Sequence, residues 1–191
     1  MNYLKRRDRR LGQAIDDIGV IKRKMTPDPF TALVRTIIGQ QISTKAAQTV
    51  CARVYELVGN PIDPPILADV GLGAIQGCGM SERKAGYILG AANAALRGEI
   101  DFDTLHTLTD AEVVRSLTAL RGVGVWTAEM ILIFSLGRPD VVSHGDLGIR
   151  RGMVALYGLD EVTREQFARY AERYSPYGTV ASLYLWRLAG Q

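Results

Sequence analysis

The chain is 191 residues long, with 47% hydrophobic and 23% charged residues and a formal net charge of +3. That composition fits a globular protein of one compact domain or two small lobes. It excludes a disordered, collagen-like or coiled-coil chain, and the lack of any apolar run of about 18 residues excludes a transmembrane helix. Two cysteines, Cys51 and Cys78, and two histidines, His106 and His144, are too few for a disulfide framework, an iron–sulfur cluster or a zinc centre built on several histidines, while the basic balance permits a polyanionic partner.

The N-terminal stretch Met1 to Arg10 is basic, and Leu11 to Asp17 behind it lacks the long apolar core of a secretory signal. Its charge run, Lys5-Arg6-Arg7-Asp8-Arg9-Arg10, reads as a solvated helix face. From there the apolar residues recur at helical spacing and alternating runs are nearly absent, which predicts an all-α protein of nine or ten helices. Phe30, Leu33, Val34, Ile37 and Ile38 share one helix face, and Gly39-Gln40-Gln41-Ile42-Ser43 interrupts it. Ser43 or Thr44 caps a helix whose apolar positions are Ala46, Ala47, Val50, Cys51, Val54, Leu57 and Val58, ended by Gly59-Asn60-Pro61. Pro64-Pro65 marks a loop, and Gly71 to Met80 reads as turns around one short helix. Ser81 caps a helix to about Arg97; others run from Thr109-Asp110 to Leu120, from Val125 to Leu136 and from Leu147 to Tyr157. Thr163-Arg164-Glu165-Gln166 resembles a capping box for a helix ending before Pro176, and the last helix spans Tyr177 to Leu188.

The segment Leu120-Arg121-Gly122-Val123-Gly124 joins two of these helices. Two glycines permit a sharp turn with positive φ, and they leave backbone N–H groups open at the start of the following helix, where partial positive charge suits a phosphate. A plain turn between helices is the competing reading. With its flanks, Leu120 to Met130 resembles the helix-hairpin-helix signature of the DNA glycosylase superfamily. Arg138 to Gly152 resembles the Gly/Pro-rich loop and aspartate that follow it there. Ile38 to Ser43, Gly77 to Ala85, and Tyr174-Ser175-Pro176-Tyr177 leading to Tyr184-Leu185-Trp186 resemble the 3-methyladenine DNA glycosylase II branch.

The resemblance implies a single domain over 1–191 with an all-α, two-lobed fold and an active-site cleft between the lobes. One lobe covers about 30–115; the other takes the N-terminal segment and about 116–191, with the hairpin and the aspartate. It implies base excision through an oxocarbenium-like sugar, for which Asp146 is the carboxylate that stabilises the cation and directs water. Read without the resemblance, Asp146 is a helix N-cap, and Asp140 beside Pro139 is a turn residue. Trp126 and Trp186 are the base-pocket candidates, because indole faces attract cationic purines. Met130 is a candidate floor and Tyr177, Tyr174 and Tyr184 a candidate rim, although residues of these types are more often plain core. Gln41 is the wedge candidate that fills the gap of a flipped base, with Gln40 or Ile42 as alternatives. The amides of Gly122 and Gly124, and the charges of Arg121, Lys45, Arg83 and Lys84, are phosphate-contact candidates.

Where lyase relatives carry a lysine two residues after the second hairpin glycine, this chain has Trp126, which predicts hydrolysis without strand cleavage. Tyr174 and Gly178 also depart from the branch's usual Trp and Arg. The resemblance implies double-stranded DNA with damaged bases as partner, no membrane, a monomer, no redox or organic cofactor, and no metal beyond a monovalent cation at the hairpin. It implies a cytoplasmic, nucleoid-associated protein in a prokaryote or a nuclear one in a eukaryote. Alkylated purines are the expected substrates. A glycosylase for another base, a non-catalytic DNA-binding module and a helical protein-interaction domain are the alternatives.

Overall fold

The computed structural model describes residues 1–190. Among them are eleven α-helices, one 3-10 turn at Leu105–Thr107 and no strand, so the all-α expectation holds. No described helix is long and apolar enough to cross a membrane. The chain divides into two compact units: a central one, Met25–Leu136, and a terminal one made of Met1–Lys24 with 137–190.

This division corrects the expected lobe boundary near residue 115. Helices α7 (Asp110–Thr118) and α8 (Val125–Phe134), with the hairpin between them, belong to the central unit, whereas Asp146 belongs to the terminal one. The reason lies in α8 itself. Apart from Glu129 it is almost wholly apolar and buries Thr127, Ala128, Met130, Ile131, Leu132 and Ile133, so it needs neighbours on more than one side. Helix α3 (Pro29–Gly39) and α7 pack against it.

Helix α3 starts where Asp28 accepts from the amide of Thr31 at 2.6 Å and Pro29 occupies the first turn, at no cost in hydrogen bonds. Its apolar face is buried as the spacing predicts. Helix α4 (Thr44–Val58), capped by Ser43, buries only Val50, Val54 and Val58; Leu57 is exposed and Cys51 half-buried, because one stripe suffices against α3. Pro64-Pro65 does not form a loop. It opens α5 (Pro64–Gly77), since proline lacks an N–H that the first turn would leave unpaired anyway. Gly71, at φ 75°, breaks α5 into two short pieces. Helix α6 (Glu82–Leu96) packs on α5, and a Thr109–Glu112 capping box opens α7.

In the terminal unit the basic N-terminal run is more than a solvated face. It forms α1 (Asn2–Arg7) and α2 (Arg9–Ile18), which turn Leu4, Leu11 and Ile15 into a core shared with α9 (Leu147–Tyr157), α10 (Arg164–Tyr174) and α11 (Gly178–Ala189). Asp8, between α1 and α2, is 3% exposed. It accepts from the Leu11 amide at 2.9 Å, the Tyr157 hydroxyl at 2.7 Å and the Arg173 guanidinium at 2.8 Å. Burial alone pushes the Asp8 pKa up, but these three donors outweigh it and hold the carboxyl below its ordinary range. Burial likewise raises the pKa of Tyr157 and Tyr174, whose hydroxyls meet at 2.7 Å.

Candidate active site

In the terminal unit, the loop before α9 delivers Asp146 as that helix's N-cap. Its Oδ1 accepts from the Ile149 amide at 2.9 Å and from the indole Nε1–H of Trp186 at 2.9 Å, and the residue is 8% exposed. Capping and site-building are therefore one arrangement. The helix N-terminus and the indole both donate to the same oxygen, and together they hold the side chain in place. Helices α9 and α11 can approach closely enough for this bond because α9 presents glycines one turn apart. A Cβ on Gly152 would lie 2.1 Å from the Leu185 carbonyl oxygen, and one on Gly148 2.8 Å from Trp186 Cδ1.

Trp186 was expected as a face for the base. The half-buried indole acts first as a hydrogen-bond donor to Asp146. Tyr177 is 42% exposed and receives the Tyr3 ring edge-on at 5.3 Å, and the Tyr3 hydroxyl donates to Ser175 O at 2.9 Å. Tyr174 and Tyr184 are not rim residues. Tyr174 is wholly buried against Tyr157, and Tyr184 is 2% exposed with its hydroxyl donating to Gly19 O. Asp140 ties the turn before α11, accepting from the Ser175 hydroxyl at 2.6 Å and the Gly178 amide at 2.9 Å.

In the central unit, the two hairpin glycines differ. Gly122 has φ 83°, and a Cβ there would sit 2.1 Å from the Tyr87 ring, so the fold itself requires glycine. Gly124 is extended, at φ −99°, and its Cβ would meet nothing within 4 Å. Nothing inside the unit demands a missing side chain at Gly124; an approaching phosphate would. Gly124 is also the N-cap of α8, and no side chain caps that end. Arg121 is exposed beside Tyr87, its guanidinium carbon 6.0 Å from the ring centroid. Trp126 is half-buried in the first turn of α8 and Met130 is 6% exposed one turn on. Lys45 lies exposed in the first turn of α4.

The interruption after α3 is a type II turn. Gln40 has φ −56° and ψ 127°, Gln41 has φ +57°, and Ile42 N points to Gly39 O at 3.5 Å. Gln41 is the one non-glycine residue with positive φ among the described residues and is exposed. Holding a non-glycine residue there costs roughly 1–2 kcal/mol. Gln40 is not at the tip: its Nε2 donates to Gly122 O and to Thr127 Oγ1, both at 3.2 Å. Lys84, expected among the phosphate contacts, instead donates to Ile38 O at 2.8 Å and Gln40 O at 2.5 Å. Burial, and then the charge of Arg83, hold its pKa below the ordinary lysine range. Neither Lys84's partners nor the role of Gly148 is visible in motif spacing, although glycines at 148 and 152 are a readable mark of close helix approach. No group of three or more His, Cys, Asp or Glu that could hold a metal ion occurs among the described residues.

A glycine hairpin between helices, a strained polar turn tied to it, and an aspartate capping a later helix define a helix-hairpin-helix protein built to meet DNA. The profile of the HhH-GPD superfamily of base excision DNA repair proteins matches residues 34–176, and the chain belongs to that family. Among curated relatives it is 32% identical over 164 residues to DNA-3-methyladenine glycosylase 1 of Schizosaccharomyces pombe, covering 84% of this chain and 72% of the relative. A crystal structure of a DNA-3-methyladenine glycosidase from Bacillus halodurans is 40% identical, with a TM-score of 0.85 over 99% of this chain and 88% of the other. The S. pombe 3-methyladenine DNA glycosylase in complex with abasic DNA is 30% identical, with a TM-score of 0.88 over 97% of this chain and 93% of the other. The chain spans 57–58% of the length of three longer curated relatives.

Proposed function

We propose that the chain is a monofunctional DNA glycosylase that hydrolyses the N-glycosidic bond of alkylated purines of the 3-methyladenine and 7-methylguanine type. The observation that carries this reading is the Asp146 carboxylate, 8% exposed, with Oδ1 held by the Ile149 amide and the Trp186 indole. A mere DNA-binding module would need that carboxylate only as the cap of α9, whereas base release needs its charge as well. The kinship with enzymes named for 3-methyladenine supports the substrate class.

In this reading the hairpin amides around Gly124 take a DNA phosphate, Arg121 and Lys45 add positive charge nearby, and Gln41 enters the space left by the extruded base. Within the central unit, Trp126 and Met130, one turn apart on α8, are the side chains offered to that base. As the C1′–N bond breaks, its electron pair leaves with the alkylated base, whose positive charge is thereby neutralised, so no strong general acid is needed. The positive charge that grows on the sugar is stabilised by Asp146. Water adds to C1′ and its proton passes to the carboxylate and on to solvent, leaving a free base and an intact abasic site. No redox or organic cofactor enters these steps. Backbone carbonyls of the hairpin are neutral, hard oxygen donors, the ligand type that suits a monovalent cation shared with a phosphate. Such an ion would add charge to the grip and would take no part in the chemistry.

The test is chromatography of the bases released from a methylated duplex, run beside a panel of oligonucleotides carrying single deaminated, oxidised or mismatched bases. Release of 3-methyladenine or 7-methylguanine is expected. Release only from another lesion would change the substrate, and binding without any release would reduce the protein to a DNA-binding module.

A further inference from the structure

We propose that Lys84 and Gln40 are positioning residues that lock the Gly39–Ile42 turn in its type II form and so keep Gln41 aimed as the wedge. The inference rests on the DNA-binding part of the reading above and needs none of its chemistry.

Type I and type II turns differ by a flip of the central peptide, which here is the one between Gln40 and Gln41. The type II form demands positive φ at Gln41, an arrangement that suits glycine; the type I form would relieve that strain at once. Something must therefore hold the peptide against the flip. Lys84 Nζ donates to the carbonyl oxygen of that same peptide, Gln40 O at 2.5 Å, and to Ile38 O at 2.8 Å in the last turn of α3. A flip would carry Gln40 O away from the ammonium, and Gln41 would then leave its left-handed conformation and aim its Cβ elsewhere. The second tie is the Gln40 side chain, whose amide reaches Gly122 O and the buried Thr127 hydroxyl. It fastens the turn to the hairpin, so that phosphate grip and wedge form one rigid piece of the central unit. The half-buried setting that lowers the Lys84 pKa accords with a lysine serving carbonyl oxygens and not a phosphate.

The probe is a duplex carrying a tetrahydrofuran abasic analogue next to 2-aminopurine, compared with the same duplex undamaged. The full chain is expected to bind the abasic duplex more tightly and to brighten the 2-aminopurine as Gln41 enters the stack. Lys84→Met should lower the abasic-to-intact affinity ratio by about fivefold or more and suppress the brightening, as should Gln41→Ala. The double variant should lose little beyond either single one, because both act through one side chain. The salt slope of binding to the intact duplex should not change in Lys84→Met, whereas a lost phosphate contact would lower it by about 1. Lys84→Arg, which can still donate to both carbonyls, should keep the ratio. If Lys84→Met does not fold, Gln40→Met decides with the same readouts.

A folded variant that retains the ratio and the brightening, a fully additive double variant, or a reduced salt slope would overturn the proposal. So would a wild-type chain with no preference for the abasic duplex. A wild type that prefers it but releases no base would refute the enzymatic reading and leave this inference standing.

Discussion

Substituting Gly148 by alanine tests the Asp146–Trp186 pair without touching either residue. The new methyl carbon would lie 2.8 Å from Trp186 Cδ1, 3.2 Å from its Nε1 and 3.1 Å from Asp146 Oδ1. Carbon atoms pack comfortably at about 3.5–4.0 Å, so the indole must retreat by roughly 0.7 Å or more. Displacement of that size along the 2.9 Å bond from Nε1 to Oδ1 takes it beyond hydrogen-bond range. Losing a hydrogen bond to a charged group costs about 1.5–3 kcal/mol, which corresponds to a fall of about 10- to 150-fold in the rate of base release if the carboxylate is then no longer held in place. The fold should survive, because an overpacking cost of about 1–3 kcal/mol is offset in part by about 0.5–1 kcal/mol for replacing a helical glycine. Two further glycines calibrate the effect. Gly152→Ala would drive a Cβ to 2.1 Å from the Leu185 carbonyl oxygen, so α9 and α11 must part and the terminal unit should not fold. Gly90→Ala on the exposed side of α6 meets nothing within 4 Å and should be neutral or stabilising, with full activity. The assay is single-turnover release of methylated bases, with thermal melting and intact-duplex affinity alongside. A folded Gly148→Ala protein that releases base within about threefold of wild type would refute the claim that this bond positions the carboxylate.

Gly124→Asp puts a side chain and a negative charge at an open position and should weaken binding to all duplexes alike, with unchanged melting; gel shift at two salt concentrations checks it. Because Trp126 stands where lyase relatives carry lysine, borohydride should trap no protein–DNA adduct, and strand breaks in alkylated duplex should appear only after alkali treatment. Asp8→Asn should destabilise the protein by about 1–3 kcal/mol at neutral pH, since the donors from Tyr157 and Arg173 lose a charged partner. The native Asp8 pKa lies below its ordinary value, so this stability is complete above pH 3.8 and is lost as pH falls through the native value; the melting difference between wild type and variant should therefore shrink in acid.

Much of this was legible in the sequence because local chemistry decided it. Ser43, Ser81 and Thr163 were readable as caps since an oxygen beside an apolar period does one job, and each accepts the expected backbone amide. Asp146 was readable from the loop that precedes it, although its N-cap role and its indole partner became one fact only with α11 in place. Pro64-Pro65 misled because the same residue that breaks a helix also begins one. The lobe boundary misled because the hairpin follows α7 in sequence while α8 is held by α3, a contact of long sequence separation. Tyr174 could not be told from a rim residue, as nothing in its neighbours announces that Tyr157, itself bonded to Asp8, would meet its hydroxyl. Lys84 was unreadable for the same reason: a basic residue in a first helical turn is ordinarily solvated, and only the fold brings it to the carbonyls of Ile38 and Gln40.

The central claim is that Asp146 carries the chemistry of base release. It is tested most directly by comparing wild type and Asp146→Asn in single-turnover release of 3-methyladenine from a methylated duplex. The amide keeps the shape and an oxygen for the Ile149 amide but loses the charge that stabilises the sugar cation. Wild type should release the base, and the variant should bind DNA and melt as wild type does while releasing it at least about a thousandfold more slowly, a loss of about 4 kcal/mol of transition-state stabilisation. A variant that releases 3-methyladenine within about tenfold of the wild-type rate would contradict the account.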